Sequence, residues 1–159
     1  MRMEHKHFTE RENRGRIKLL KLFQAQIIAG RRVIRFTIDP YERYDFLMTS
    51  VTSTNREIIS LGDIKDVNRR YDKFNNFQID YDKLKNIVIE ARKDDRTPLL
   101  VVFFEECVCI WDINYTDWQS RAKSVKCTST TALNYHKGKT EKLETYLNKE
   151  EAVYVGYYE

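Results

Sequence analysis

The sequence contains few of the residues that interrupt regular structure. Only 5 Gly and 2 Pro occur among 159 residues, which argues against long flexible linkers. No apolar run approaches the roughly 20 residues that cross a bilayer, so we expect no transmembrane helix and no membrane partner. The first residues lack the apolar core of a secretion signal. We therefore expect a cytoplasmic protein, in a bacterium or in a phage-infected cell.

Cysteine is also scarce, with Cys107, Cys109 and Cys127 as the full set. An odd number of cysteines without a secretion signal predicts reduced thiols. A zinc site would need four ligands at suitable spacing, and neither a second cysteine pair nor a nearby histidine supplies them. We interpret the cysteines as small buried apolar residues.

The composition is that of a globular protein, with 42% hydrophobic and 33% charged residues. The length fits one domain, 1–159, with a core over about 9–113 and a C-terminal extension of mixed structure over 114–159. The formal net charge of +4 is compatible with a nucleic-acid partner without establishing one.

The hydrophobic pattern predicts an α/β (α+β) domain with helices on a mixed central sheet. A capping box at Thr9 and Glu12 starts the first helix, and Gly30 ends it after Ala29. Residues 68–78 are interpreted as a loop, 124–133 as an edge strand, and 140–148 as either a short helix or an extended segment. The other predicted elements are strands at 33–38, 44–52 and 57–65, a helix at 80–93, and strands at 100–104, 107–113 and 153–157.

Two acidic residues in this pattern are candidates for catalysis. Asp45 interrupts an otherwise apolar strand, where an unpaired carboxylate is costly. Asp63 and Lys65 alternate with Ile64 in a later strand, so they point to one face. A turn at residues 53–56 would pair the two strands and bring Asp45 towards Asp63.

Two carboxylates and a lysine on one surface suit phosphodiester hydrolysis. The carboxylates of Asp45 and Asp63 would hold Mg²⁺, or alternatively Mn²⁺, and the backbone carbonyl of Ile64 could add a third oxygen. The cation would polarise the phosphate and activate a water. Lys65 would orient that water or stabilise charge on the phosphate.

With these residues the chain resembles the PD-(D/E)XK nuclease superfamily, which includes Holliday-junction resolvases and restriction-type endonucleases. Asp45 matches the first acidic position, and Asp63, Ile64 and Lys65 match the D/E-X-K triplet. The element order over about residues 9–104 agrees with the restriction-endonuclease-like core, α-β-β-β-α-β. The match departs at the proline, because Tyr44 precedes Asp45.

The resemblance implies further site residues. Many such nucleases add a metal-binding glutamate from the first helix, and Glu12 or, as the alternative, Glu10 could supply it. We predict that Gln78, near the second helix, contacts nucleic acid. The same prediction applies to three basic residues just past the triplet, Arg69, Arg70 and Lys73.

The resemblance implies a metal-dependent DNA endonuclease acting on branched or structured DNA, and a homodimer would suit cleavage of two strands. Two alternatives stay open. The chain could be an inactive module that keeps the nuclease fold and binds nucleic acid or protein. It could also be an accessory or structural protein, for instance of a phage, in which Asp63 and Lys65 only form an ion pair.

Overall fold

In the computed structural model, which describes residues 9–39, 42–73, 75–128 and 139–159, helices pack on both faces of a mixed β-sheet. The predicted α+β fold with a mixed central sheet is confirmed, and the predicted α-β-β-β-α-β order holds with one further short helix and one further strand inserted. The elements are α1 (Glu10–Leu22), α2 (Gln24–Ile28), β1 (Arg32–Phe36), β2 (Phe46–Val51), β3 (Glu57–Asp66), β4 (Asn76–Asp80), α3 (Tyr81–Lys93), β5 (Thr97–Phe103), β6 (Cys107–Asp112), β7 (Lys123–Thr128), β8 (Lys139–Asn148) and β9 (Tyr154–Tyr157).

The larger sheet has six strands in the order β1-β2-β3-β5-β6-β9. Its neighbouring strands are antiparallel, except that β3 and β5 are parallel. A parallel pair needs a crossover connection, and α3 lies in the connection between β3 and β5. The two central strands therefore run in the same direction beneath a helix.

The first helix starts as predicted. The Thr9 hydroxyl accepts a hydrogen bond from the Glu12 amide at 3.1 Å, and the Glu12 carboxylate accepts one from the Thr9 amide at 3.2 Å. The helix is not continuous to Ala29, however, because Phe23 separates α1 from α2 and packs its ring against the Arg32 guanidinium. Gly30 ends this region with a positive φ of 72°.

The loop interpretation of residues 68–78 is wrong in part, because β4 begins at Asn76. β4 pairs with β8 and belongs to a second sheet of order β4-β8-β7. Such a short strand is stabilised by a partner that lies far along the chain, which local patterns do not reveal. Residues 140–148 are extended, in β8, and the predicted strand at 124–133 is present as β7 up to Thr128, while 129–133 lie outside the described residues.

Side chains of β3 alternate between two layers. Ile64 packs with Leu19 of α1 in one hydrophobic core, whereas Leu61 packs with Leu84 of α3 in the other. α1 approaches β3 closely at Gly15, where an added Cβ would lie 2.9 Å from the Ile64 side chain. The odd-numbered residues of β3 therefore face the α3 layer.

None of the described helices is long and apolar enough to span a membrane.

Candidate functional site

Asp45 lies at the point where β2 begins, beside the C-terminal half of β3. Its amide donates to the Gly62 carbonyl at 2.7 Å, and its Oδ2 accepts a hydrogen bond from the Ile64 amide at 2.9 Å. The β2–β3 pairing with Phe46 opposite Gly62 sets this position. The hairpin predicted from the sequence thus brings Asp45 to the triplet.

Asp63 lies next to Asp45 in a cluster that also contains Lys65 and Lys83, and only 1% of its side chain is exposed. The Lys65 Nζ is 3.2 Å from its Oδ2, and the Lys83 Nζ is 3.3 Å from its Oδ1. The Lys65 contact is an ion pair without hydrogen-bond geometry, so Oδ2 is a buried oxygen that lacks a hydrogen-bond partner among the described residues. An acceptor of this kind can bind a metal cation once a neighbouring ammonium group moves away.

The two carboxyl groups hold their protons differently. Burial, the hydrogen bond with Asp63 and the negative charge of Asp63 raise the pKa of Asp45 from 3.8 to about 7. Burial alone would also raise the pKa of Asp63, but the hydrogen bond with Asp45 and the charges of Lys65 and Lys83 lower it. In the absence of a metal ion, the pair of carboxyl groups therefore carries one proton near neutral pH.

The same electrostatics keep Lys65 charged. Burial alone would lower the pKa of Lys65, but the Asp63 carboxylate more than offsets this effect and raises it. A permanently charged ammonium group can stabilise negative charge on a phosphate, and it is a poor proton acceptor.

The sequence did not single out Lys83 as a member of this cluster. It lies in the first turns of α3 and reaches Asp63 across the α3 layer. Lys83 precedes the buried Ile87 by four residues, so it occupies the apolar face of its helix. A lysine on the apolar face of a helix is the sequence signal that could have indicated a buried charged partner for Lys83.

The donor atoms fit a hard divalent cation. Asp45 and Asp63 offer carboxylate oxygens, and the Ile64 carbonyl points to the same strand edge as its amide, towards Asp45. Mg²⁺ takes few protein ligands of this type and keeps several waters.

A third acidic ligand is not seen at this position. Within residues 9–39, 42–73, 75–128 and 139–159, no group of three or more acidic, His or Cys side chains could hold a metal ion. Glu12 closes the capping box, and Glu10 is exposed in the first turn of α1. Ligation by either glutamate stays a prediction.

The residues predicted to contact nucleic acid divide into two groups. Arg69 and Gln78 line a groove of about 260 Å³ together with Lys65 and Lys83. Arg70 instead pairs with Asp72 at 3.0 Å and with Glu106 at 3.1 Å, and Lys73 is exposed in a short 3-10 helix. The structure thus brings Arg69 and Gln78 to the site and leaves Arg70 in a local ion-pair network.

The layers, the sheet order and the placement of the cluster define a restriction-endonuclease-like fold. The structure is similar to the 1.6 Å structure of Hjc, a Holliday junction resolvase from the archaeal hyperthermophile Archaeoglobus fulgidus. The TM-score is 0.50 and the identity 8%, over 87% of this chain and 88% of Hjc. No protein-family model and no curated protein sequence matches this chain. At this identity, the likeness shows the fold alone.

Proposed function

We propose that this chain is a metal-dependent DNA endonuclease that hydrolyses phosphodiester bonds in branched or structured DNA. The observation that carries the proposal is the contact of two carboxyl groups, Asp45 and Asp63, with Lys65 beside them at the lining of a groove. The fold shared with a Holliday junction resolvase supports branched or structured DNA as the substrate class.

The metal would be Mg²⁺, with Mn²⁺ as a substitute, held by Asp45, Asp63 and the Ile64 carbonyl. Glu12 or, as the alternative, Glu10 would join them only by reaching past the end of β3, because α1 packs on the opposite face of that strand. When bound, it would supply Lewis acidity and lower the pKa of a coordinated water. Asp45 would give up its proton to become a ligand, since a metal-bound carboxylate is ionised.

Lys65 would act on the substrate. Because its pKa is raised, it stays protonated and would stabilise the negative charge that builds on the phosphate during attack. Arg69 and Gln78, which lie along the groove, would hold the neighbouring phosphates and so fix the position of the strand. A homodimer would present two such sites to the two strands of a junction.

Cleavage assays test this proposal directly. Purified protein is incubated with supercoiled, linear and four-way-junction DNA in the presence of Mg²⁺, Mn²⁺ or EDTA. We expect metal-dependent cleavage that is lost in Asp63→Ala and Lys65→Ala and kept in Lys85→Ala, an exposed lysine of the same helix as Lys83. DNA binding without cleavage under every metal condition would identify an inactive module, and absence of both would overturn the nucleic-acid function.

A further inference from the structure

We propose that Lys83 is an exchangeable cation of the site. It neutralises Asp63 while no metal is bound, and it moves to the phosphate of the bound substrate once a divalent cation is held by the carboxylates. This inference rests on the proposed function and adds to it a second substrate-binding lysine, supplied by the helix rather than by the D-x-K triplet.

Both carboxylate oxygens of Asp63 already have a cationic neighbour. Lys65 lies against one carboxylate oxygen and Lys83 against the other, at 3.2 and 3.3 Å, and only 1% of the Asp63 side chain is exposed. A metal ion that binds this carboxylate needs an oxygen lone pair facing it. An ammonium group lies against each oxygen of this buried carboxylate and repels a further cation, so at least one of them has to move when a metal binds.

Lys83 is better suited than Lys65 to make this movement. Lys65 lies two residues from Asp63 on the same strand face, and Asp45 and Asp80 attract it as well. Within the described part of the chain, the ammonium of Lys83 makes one ion pair, with Asp63, and its charge also acts on Asp45. Both lysines are partly exposed, Lys65 by 40% and Lys83 by 32%, and both line the groove. Lys83 can therefore turn towards the groove at the loss of one ion pair, and it is not held by the strand that carries Asp63.

The charge of the site supports a role for Lys83 after the metal has bound. The two ionised carboxylates cancel the two ammonium groups, and a divalent cation then leaves the cluster doubly positive. A phosphodiester carries one negative charge, and the pentacovalent transition state gains a second. An ammonium group that reaches the phosphate stabilises this added charge more than the ground state, which accelerates the reaction rather than only tightening binding.

The experiment compares Lys83→Gln with Lys85→Gln, which changes an exposed lysine two residues further along α3. Calorimetric titration with Mn²⁺ reports metal affinity without DNA, and single-turnover cleavage of a four-way junction reports the chemical step. We expect Lys83→Gln to bind Mn²⁺ about tenfold more tightly, because the competing ammonium is gone. We also expect it to cleave about 10²-fold more slowly, with the loss in kcat rather than in KM. Lys85→Gln should match the unmodified protein in both assays.

A second variant separates charge from folding. Lys83→Arg keeps the positive charge and should recover most of the cleavage, and it carries the test if circular dichroism shows that Lys83→Gln is unfolded. The inference is overturned if the unmodified protein cleaves DNA and folded Lys83→Gln has unchanged metal affinity or unchanged kcat. If the unmodified protein neither binds Mn²⁺ nor cleaves DNA, the proposed function fails and the exchange fails with it.

Discussion

Asp63 and Asp66 lie three positions apart on β3, and they make an informative comparison. Asp63 faces the α3 layer with Lys65 and Lys83 around it, and Asp66 faces α1. Asp66 likewise has two cationic partners, Arg14 at 3.3 Å and Lys18 at 2.7 Å, and only 9% of its side chain is exposed. By ion pairing alone the two carboxylates are nearly equivalent.

The difference between them is the second carboxyl group. Asp45 contacts Asp63, and the proximity of the two acidic groups contributes to a pKa of Asp45 of about 7. Two adjacent carboxylates repel each other unless a proton or a metal cation lies with them. Asp66 has cations alone as its described partners, so its charge is already compensated. A carboxyl pair, rather than an ion pair, is therefore the feature on this strand that supports the proposed metal site.

The largest expected difference between Asp63 and Asp66 is in the rate of DNA cleavage. Under the proposed function, Asp63→Asn should lower the metal-dependent cleavage of a four-way junction by at least about 10³-fold, because it removes a charged group that would bind the metal. Asp66→Asn, the matched change on the opposite face, should leave the cleavage rate within about twofold. Single-turnover rates measured with Mg²⁺ at neutral pH check both values.

Equal losses of cleavage in folded Asp63→Asn and folded Asp66→Asn would contradict the comparison. Circular dichroism establishes that each variant is folded. Asp82→Asn changes an exposed acidic residue in the first turn of α3 and serves as the control for a general change in charge.

The next effect concerns stability and pH in the absence of metal. The pKa of Asp45 is raised in the folded protein, so the folded state holds this proton more tightly than the unfolded state. The resulting contribution to the free energy of unfolding is fully present below about pH 4 and is lost as the pH rises towards 7. Asp45→Asn removes the ionisation and keeps the shape of the side chain. In EDTA, the free energy of unfolding of the variant relative to the unmodified protein should increase by about 2–3 kcal/mol from pH 5 to pH 8.

Urea denaturation at a series of pH values measures this difference. Asp39→Asn changes an exposed aspartate outside the site and should show no comparable trend. A difference between Asp45→Asn and the unmodified protein that stays constant from pH 5 to pH 8 would show that Asp45 is ionised throughout.

The smallest effect is a loss of stability at Asp66. Asp66→Asn should lower the free energy of unfolding by about 1–2 kcal/mol, since one partly buried carboxylate loses two cations that are themselves about half exposed. Urea denaturation at pH 7 checks the value. Arg14→Gln should cost less in the Asp66→Asn background than in the unmodified protein, and equal costs in both would show that the pair contributes nothing.

Much of the candidate site could be predicted because its signals are local. The alternation of Asp63, Ile64 and Lys65 places two of them on one strand face, and a short turn brings the preceding strand back beside them. The pairing of Phe46 with Gly62 confirms this hairpin and explains the position of Asp45. The capping box at Thr9 and Glu12 is equally local, and it too is present.

Neither the role of Lys83 nor the strand β4 could be predicted from such local signals. The contact of Lys83 with Asp63 depends on how α3 crosses the sheet, which no spacing within the helix specifies. Likewise, β4 is a strand because β8 pairs with it, and Gln78 lies opposite Tyr146 in that ladder. Both features arise between residues that are distant in sequence.

The sequence by itself determined the acidic residues, the lysine of the triplet and the order of helices and strands, because strand alternation, turns and caps act over a few residues. Only the tertiary structure decided that Asp63 has a second lysine while Asp66 has the cations of α1. The physical reason is that a buried charge is compensated by whichever groups packing brings within about 4 Å, and the packing of helices on a sheet is set by the whole core.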